Sequence, residues 1–446
     1  MSQLTPIIFS LVDQSGLEPE TAKIYVGGWI NGGAAVAVLT SKGTFEENQK
    51  TVPFWPLSSL SQVTLDGPTN GDDRLIFVAA SEAPAPLTIT DAGHPVQYTQ
   101  FPYADAPGVA APGPFDVFEF GLNAQLDVSA VSGFALNISF TVEDVPIPNQ
   151  FGVTPTVSRS DIATAWKAFI ANETKSLPSA TAFGELLYDA ALPGSTATPP
   201  LIDGQFFALC DPNDMLAAKT GNYQQETDDP LASFFDDTLL AFFAQGNYLS
   251  INLGPGRIYK GSAAPKTNPQ TNVDSIAYSL SNGAASYDFF LPMSDNRARY
   301  PGLTGAQYVF QQAFGPLTPA GSAGDAGLLQ DCIWEALCRG VALDGVAQTD
   351  AEKAIAGYST SRWNQWSSWY PVGKPSHLYA KFLHCSDKDG NDSRLSGHPP
   401  IFYGGAAYGF SMDETPIGPY TGPNVPSKTP YNVSSGKVTV TVGKWQ

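Results

Sequence analysis

The sequence predicts a mainly β protein carrying a mixed α/β domain, and three observations predict it. Gly (42) and Pro (37) are plentiful while charged residues make up only 15% of the 446 positions. Short apolar or alternating runs are bounded by Gly, Asp or Asn, the setting of strands and turns. The hydrophobic period then changes to helical spacing in the middle of the chain and returns to strand spacing near its end.

Taken in order, residues 23–30 (KIYVGGWI), 34–40 and 73–79 read as strands. Residues 80–114, rich in Pro and Ala, read as a loop. Two segments then alternate with period 2. In 117–123, Phe118, Phe120 and Leu122 share one face and Glu119, Gly121 and Asn123 the other. In 134–143, Phe134, Leu136, Ile138, Phe140 and Val142 point inward. Each reads as a half-buried antiparallel strand, with Asp127 in the turn between them.

Helical spacing begins near residue 157. Ser158 or Ser160 can cap a helix with Ile162, Trp166, Phe169 and Ile170 on one stripe. Residues 230–244 repeat the signal through Leu231, Phe234, Phe235, Thr238, Leu239 and Phe242. A further helix is expected at 326–339 after Asp325, and another over 352–369. Short strands are expected at 248–253 and 286–291. Strand character returns at 377–384, 406–412 and 437–442. The order predicts a discontinuous β domain, 1–155 with 372–446, and a mixed α/β domain, 156–371, inserted within it.

Composition excludes several function classes. The net charge is −19, a surface that repels phosphate backbones and anionic lipids. Nucleic acid and membrane are therefore not expected as partners, whereas a neutral glycan is compatible. No run approaches the ~20 apolar residues of a membrane span. The N-terminus shows no signal-peptide pattern, so a soluble chain is expected, with secretion left open. The four cysteines (Cys210, Cys332, Cys338, Cys385) form no CxxC pair and read as buried thiols. The four histidines show no zinc spacing. No metal and no cofactor is expected, and the chain is expected to be a monomer.

The chemistry-bearing segment is 115–140, FDVFEFGLNAQLDVSAVSGFALNISF. Glu119, Gly121 and Asn123 span roughly 13 Å along one strand face, room for two or three sugar units. An acid beside an amide suits sugar hydroxyls. Apolar neighbours such as Phe118 and Phe120 are the setting in which a carboxyl's pKa rises, as a proton donor needs. On pattern alone, the plainer reading of Glu119 as an exposed strand residue is favoured. Trp363, Trp366 and Trp369 could stack on sugars, but their helical spacing favours core packing for at least two. Four N-x-S/T matches, at Asn137, Asn172, Asn391 and Asn432, are weak signals.

Glu119-Phe-Gly-Leu-Asn123 followed by Asp127-Val-Ser-Ala-Val-Ser132-Gly-Phe134 resembles the E-F-T-x-N strand and D-[IV]-S-x-V-D-x-F turn of glycoside hydrolase family 64, the laminarin-cleaving β-1,3-glucanases. More distantly it resembles thaumatin-like proteins. Segments 151–169, 234–243, 332–342, 370–384 and 405–415 resemble further parts of that family in the same order. The resemblance implies a thaumatin-like β-sandwich or barrel, an α/β domain and a wide groove between them. It implies inverting endo-hydrolysis of β-1,3-glucan without a metal, and family members are usually secreted. Glu119 matches the general acid and Asn123 a substrate-contacting position, while Gly121 replaces the usual Thr. Ser132 stands where the family's base aspartate falls, and serine does not accept a proton as a carboxylate does. Asp127, Glu143, Asp413 or Glu414 is then the second carboxylate. Otherwise the chain binds glycan, with Asn123, Gly121, Ser132 and Asp413 as contacts, or is an interaction protein whose groove is closed by 80–114 or 386–400.

Overall fold

The computed structural model describes residues 6–31, 35–66, 73–90, 93–99, 108–120, 124–130, 133–143, 150–190, 199–220, 229–269, 272–292, 305–310, 324–385, 401, 408–409, 431–433 and 436–446. The protein is mainly β with a mixed α/β part. Its first strands are β1 (Ile7–Asp13), β2 (Lys23–Asn31), β3 (Val36–Leu39), β4 (Gln62–Leu65), β5 (Asp73–Ala80), β6 (Phe115–Phe120), β7 (Ala124–Ser129), β8 (Gly133–Phe134), β9 (Ile138–Val142) and β10 (Gln150–Gly152). Helix α1 (Arg159–Glu173) and strand β11 (Ala208–Cys210) follow. Then come α2 (Asp236–Phe242), the strands β12 (Tyr248–Asn252), β13 (Ile258–Asn268), β14 (Val273–Ser281) and β15 (Ser286–Phe290), and the helices α3 (Gly324–Cys338), α4 (Asp350–Ala354), α5 (Tyr358–Trp363) and α6 (Leu378–Cys385). Strand β16 (Gly436–Val442) lies near the C-terminus.

Among the described residues, one sheet runs in the order β10-β9-β16-β1-β4 and a second contains β7-β6-β5-β2-β3. Their inner faces meet through aromatic rings. Phe9 lies 5.8 Å from Phe118 and 5.0 Å from Phe120, and Phe118 lies 5.4 Å from Phe140. The alternation of β6 therefore has one outcome: Phe118 and Phe120 are buried and Glu119 turns to the outer face. The C-terminal strand sits inside the first sheet, with β16 parallel to β1 and antiparallel to β9. Four further strands, β12 to β15, form an antiparallel meander.

Arg159 ties the sandwich to the helical part. Ser158 caps α1 and forms a capping box with Asp161, which sets Arg159 at the first turn. Its backbone N–H donates to Lys444 O at 3.1 Å. Its buried guanidinium donates from Nε to Ala135 O. From Nη2 it donates to Phe206 O and Phe207 O at 2.7 and 2.8 Å. The same group stacks on Phe206 and Trp445, 4.0 and 4.2 Å from the ring centres. Nearby, buried Asp116 accepts from the N–H groups of Ala135 and Leu136. Burial pushes the Asp116 carboxyl up to about 8, and those two amides and Arg159 pull against that rise.

Several sequence expectations change. The segment 134–143 is not one strand, because the N–H groups of Ala135 and Leu136 go to Asp116 and not to a ladder. Strand pairing resumes at Ile138. Asp127 lies on β7 and not in a turn. The stretch 377–384 is helical: His377 Nδ1 accepts from Ala380 N at 3.3 Å at the start of α6, and Leu378, Tyr379, Phe382 and Leu383 form its buried stripe. Residues 352–369 break at Gly357, where φ is +75° and the backbone N–H donates to Ser250 Oγ. Within 230–244 the helix starts only at Asp236, after turns fastened by Asp229. Short strands occur within 80–114, at Leu87–Thr88, Tyr98–Thr99 and Val109–Ala110.

Trp363 and Trp369 are core residues, and Arg339 stacks on Trp369 at 3.8 Å. The Trp366 side chain lies outside the described residues. Cys210, Cys332 and Cys338 are buried thiols, and Cys338 Sγ donates to Val309 O at 3.2 Å. No described helix is long and apolar enough to cross a membrane.

Arg159→Met should lower the unfolding free energy by about 3–5 kcal/mol, because it leaves the buried carbonyls of Ala135, Phe206 and Phe207 without their donor. In the variant, Asp116 keeps a raised pKa, so stability present in acid should fall as pH rises toward 8. Urea unfolding at pH 5 and pH 8 checks both the size and the sign.

Candidate functional site

The site is a row of side chains running across three strands. In the ladder, Arg74 of β5 stands opposite Glu119 of β6, and Glu119 opposite Asp127 of β7. Directly opposed residues share a face, so all three project from the side away from Phe118. With strands ~4.8 Å apart, the row covers about 10 Å. It continues to Trp29 of β2, opposite Arg74 and buried. The outer face is therefore covered over β2 and opens toward β6.

Arg74 Nη2 stands 3.1 Å from Glu119 Oε1, with the two side chains 22% and 32% exposed. Arg74 Nη1 donates to Gln97 Oε1 at 2.5 Å. A cation at this distance is a different setting from the apolar one expected of Glu119. Asp127 is 4% exposed and has Leu126 and Val128, both buried, on either side in its strand. Arg74, on the far side of Glu119 from Asp127, places a cation beside the two opposed acids.

C-terminal segments return to the same strand. Tyr408–Gly409 pairs in parallel with β7, and Tyr431–Val433 pairs antiparallel to it. Helix α6 fixes the end of β7, since Tyr379 Oη donates to Ala130 O at 2.7 Å. Buried Lys381 on the same helix holds Glu173 of α1 at 2.7 Å.

Of the residues singled out from sequence, the fold brings Glu119 and Asp127 together. Glu143 follows β9 in the other sheet and is exposed. Gly121, Asn123, Ser132, Asp413 and Glu414 lie outside the described residues. Of the two loops expected to close the face, 80–114 reaches the site through Gln97 and leaves Glu119 a third exposed. The segment 386–400 lies outside the described residues. Asn137 is buried and donates to Val157 O and Lys444 O, so its side chain has a structural task. Sequence reasoning missed Arg74 and Gln97. The signal for Arg74 was one cation in the apolar run DRLIFVAA.

No protein-family model matches the sequence, and no curated protein matches it. The fold does have solved relatives in shape. A β-1,3-glucanase domain of glycoside hydrolase family 64 from Clostridium beijerinckii aligns over 99% of this chain and 100% of that one, with TM-score 0.57 and 14% identity. Two structures of a family 64 laminaripentaose-producing β-1,3-glucanase from Paenibacillus barengoltzii, one complexed with laminarihexaose, cover 98% of this chain and 75% of theirs. Their identity is 14% and their TM-scores are 0.48 and 0.49. The likeness in fold rests on the first.

Glu119→Gln removes a charge from a partly exposed ion pair, worth about 0–1 kcal/mol. Its urea midpoint should stay close to that of the parent protein, so any functional loss in this variant reads on chemistry and not on folding.

Proposed function

We propose that the chain acts on β-1,3-glucan as an endo-acting, inverting glycoside hydrolase, with Glu119 and Asp127 as its carboxyl pair. The opposition of these two acids on the outer sheet face is the observation that carries the reading. The fold likeness to a β-1,3-glucanase domain and the order of the sequence motifs support it. Asn123, Gly121, Ser132 and Asp413 are proposed sugar contacts. The proposed division is a thaumatin-like β domain from 1–155 and 372–446, with an α/β domain from 156–371 completing the groove of a monomer.

The reaction needs two carboxyl groups in different states. Water attacks the anomeric carbon and passes its proton to the ionised group. The glycosidic C–O bond breaks, and the departing oxygen takes the proton of the other. Inversion requires room for that water, a carboxyl separation of about 6.5–9.5 Å. Opposed strand residues start with Cβ atoms roughly 4.5–5.5 Å apart, and the proposed roles need the carboxyl ends to stand farther apart than that.

Ser132 favours a second reading, a relative that binds glycan and does not cleave it. The two readings separate on incubation with laminarin. The hydrolase reading expects released oligosaccharides whose first anomer is α by proton NMR, and a loss of several orders of magnitude in Glu119→Gln. No product from the parent protein over a long incubation contradicts it. Binding that survives Glu119→Gln with no product from either protein supports the second.

A further inference from the structure

Gln97 is exposed, yet it is held on several sides. Its Oε1 accepts from Arg74 Nη1 at 2.5 Å, and its backbone carbonyl accepts from Val109 N at 2.9 Å. Its neighbour Tyr98 is buried, with its ring 5.6 Å from that of Phe54 and 5.4 Å from that of Phe115. Arginine carries donors and no acceptor, so the carbonyl end of the Gln97 carboxamide has to be the end that faces Arg74. The Nε2–H donors therefore point away from Arg74. A glutamine free on a surface samples many rotamers. This one keeps a set direction, so a ligand group that meets it finds much of the ordering already done.

The amide also stands in the right place. Arg74 Nη2 lies 3.1 Å from Glu119 Oε1, so Gln97 and Glu119 bracket one guanidinium. Gln97 is thus level with Glu119, and Tyr98 is level with Phe115 at the other end of β6. Between those levels, on the same outer face as Glu119, stand Val117 and, opposite it, Ser129, both partly exposed. Val117 is roughly 7 Å along the strand from Glu119, room for one further sugar unit. Gln97 edges this strip, whose floor offers an acid, an apolar side chain and a hydroxyl. A sugar ring presents a matching set, with C–H groups on its face and hydroxyls on its rim.

Resting on the glucan reading above, we propose that Gln97 is a substrate-binding residue: its Nε2–H donors meet a hydroxyl oxygen of the sugar unit that lies over Val117, beside the unit at Glu119. Arg74 acts through Gln97, by fixing which end of the amide meets the sugar.

Two substitutions separate this from a purely structural task. Gln97→Glu keeps an oxygen for Arg74 and replaces the donors with a second oxygen. Gln97→Met removes both. Binding of laminarihexaose to the intact proteins is followed by NMR before appreciable hydrolysis, with urea midpoints as the control for folding. Both variants should bind about five- to tenfold more weakly than the parent. The Gln97 side-chain amide signals of the parent, assigned by their loss in Gln97→Glu, should shift on saturation. Parent-like binding by Gln97→Glu, with weaker binding only in Gln97→Met, would make Gln97 a support for Arg74 alone and overturn the proposal. Parent-like binding by both, or amide signals unmoved at saturation, overturns it and leaves the glucan reading standing. A parent protein that binds no laminarihexaose overturns both.

Discussion

Phe118 and Phe120 decide what this protein can present to a ligand. Packed against Phe9 and Phe140 between the two sheets, they fix which face of β6 is inside. A slip of one residue in the ladder would carry both rings to solvent and Glu119 into the core. Burying a phenylalanine contributes on the order of 2–3 kcal/mol, whereas a partly exposed ion pair such as Arg74–Glu119 contributes about 0–1 kcal/mol. The apolar packing therefore sets the register. The polar row follows from it: once β5, β6 and β7 are in register, Arg74, Glu119 and Asp127 have to stand in line.

The row needs a rigid support, and two long-range ties supply it. Strand β16 enters the first sheet between β1 and β9, so the ends of the chain close the sandwich together. Arg159 then reaches the carbonyls of Ala135, Phe206 and Phe207 and stacks on Trp445. Through that one side chain, α1, the segment after β8, the approach to β11 and the C-terminal residues are held in a fixed relation. Tyr379 and Lys381 add a second tie, from α6 to the end of β7 and to α1.

Much of this was legible in the sequence where the local period was strong. The alternation in 117–120 placed Glu119 on the outer face, and Ser158 with the stripe Ile162, Trp166, Phe169 and Ile170 gave α1 with its cap. Two of the misreadings share one cause, a distant polar group competing for backbone. Asp116 takes the amides that would have continued the strand through Ala135 and Leu136. Ser250 takes the amide of Gly357. His377 caps a helix whose aromatic and apolar residues read locally as a strand. The candidate site was half legible for the same reason. Two acids eight residues apart look like a strand residue and a turn residue until pairing sets them opposite, and Arg74, 45 positions from Glu119, enters only through the ladder.

The most direct test of the central claim is where a β-1,3-gluco-oligosaccharide contacts the isotope-labelled protein. Chemical-shift changes on titration should concentrate at Arg74, Gln97, Glu119 and Asp127 and fade toward the β12–β15 meander. Changes centred on that meander, with the Arg74–Glu119–Asp127 row unmoved at saturation, would contradict the assignment of this face as the functional site.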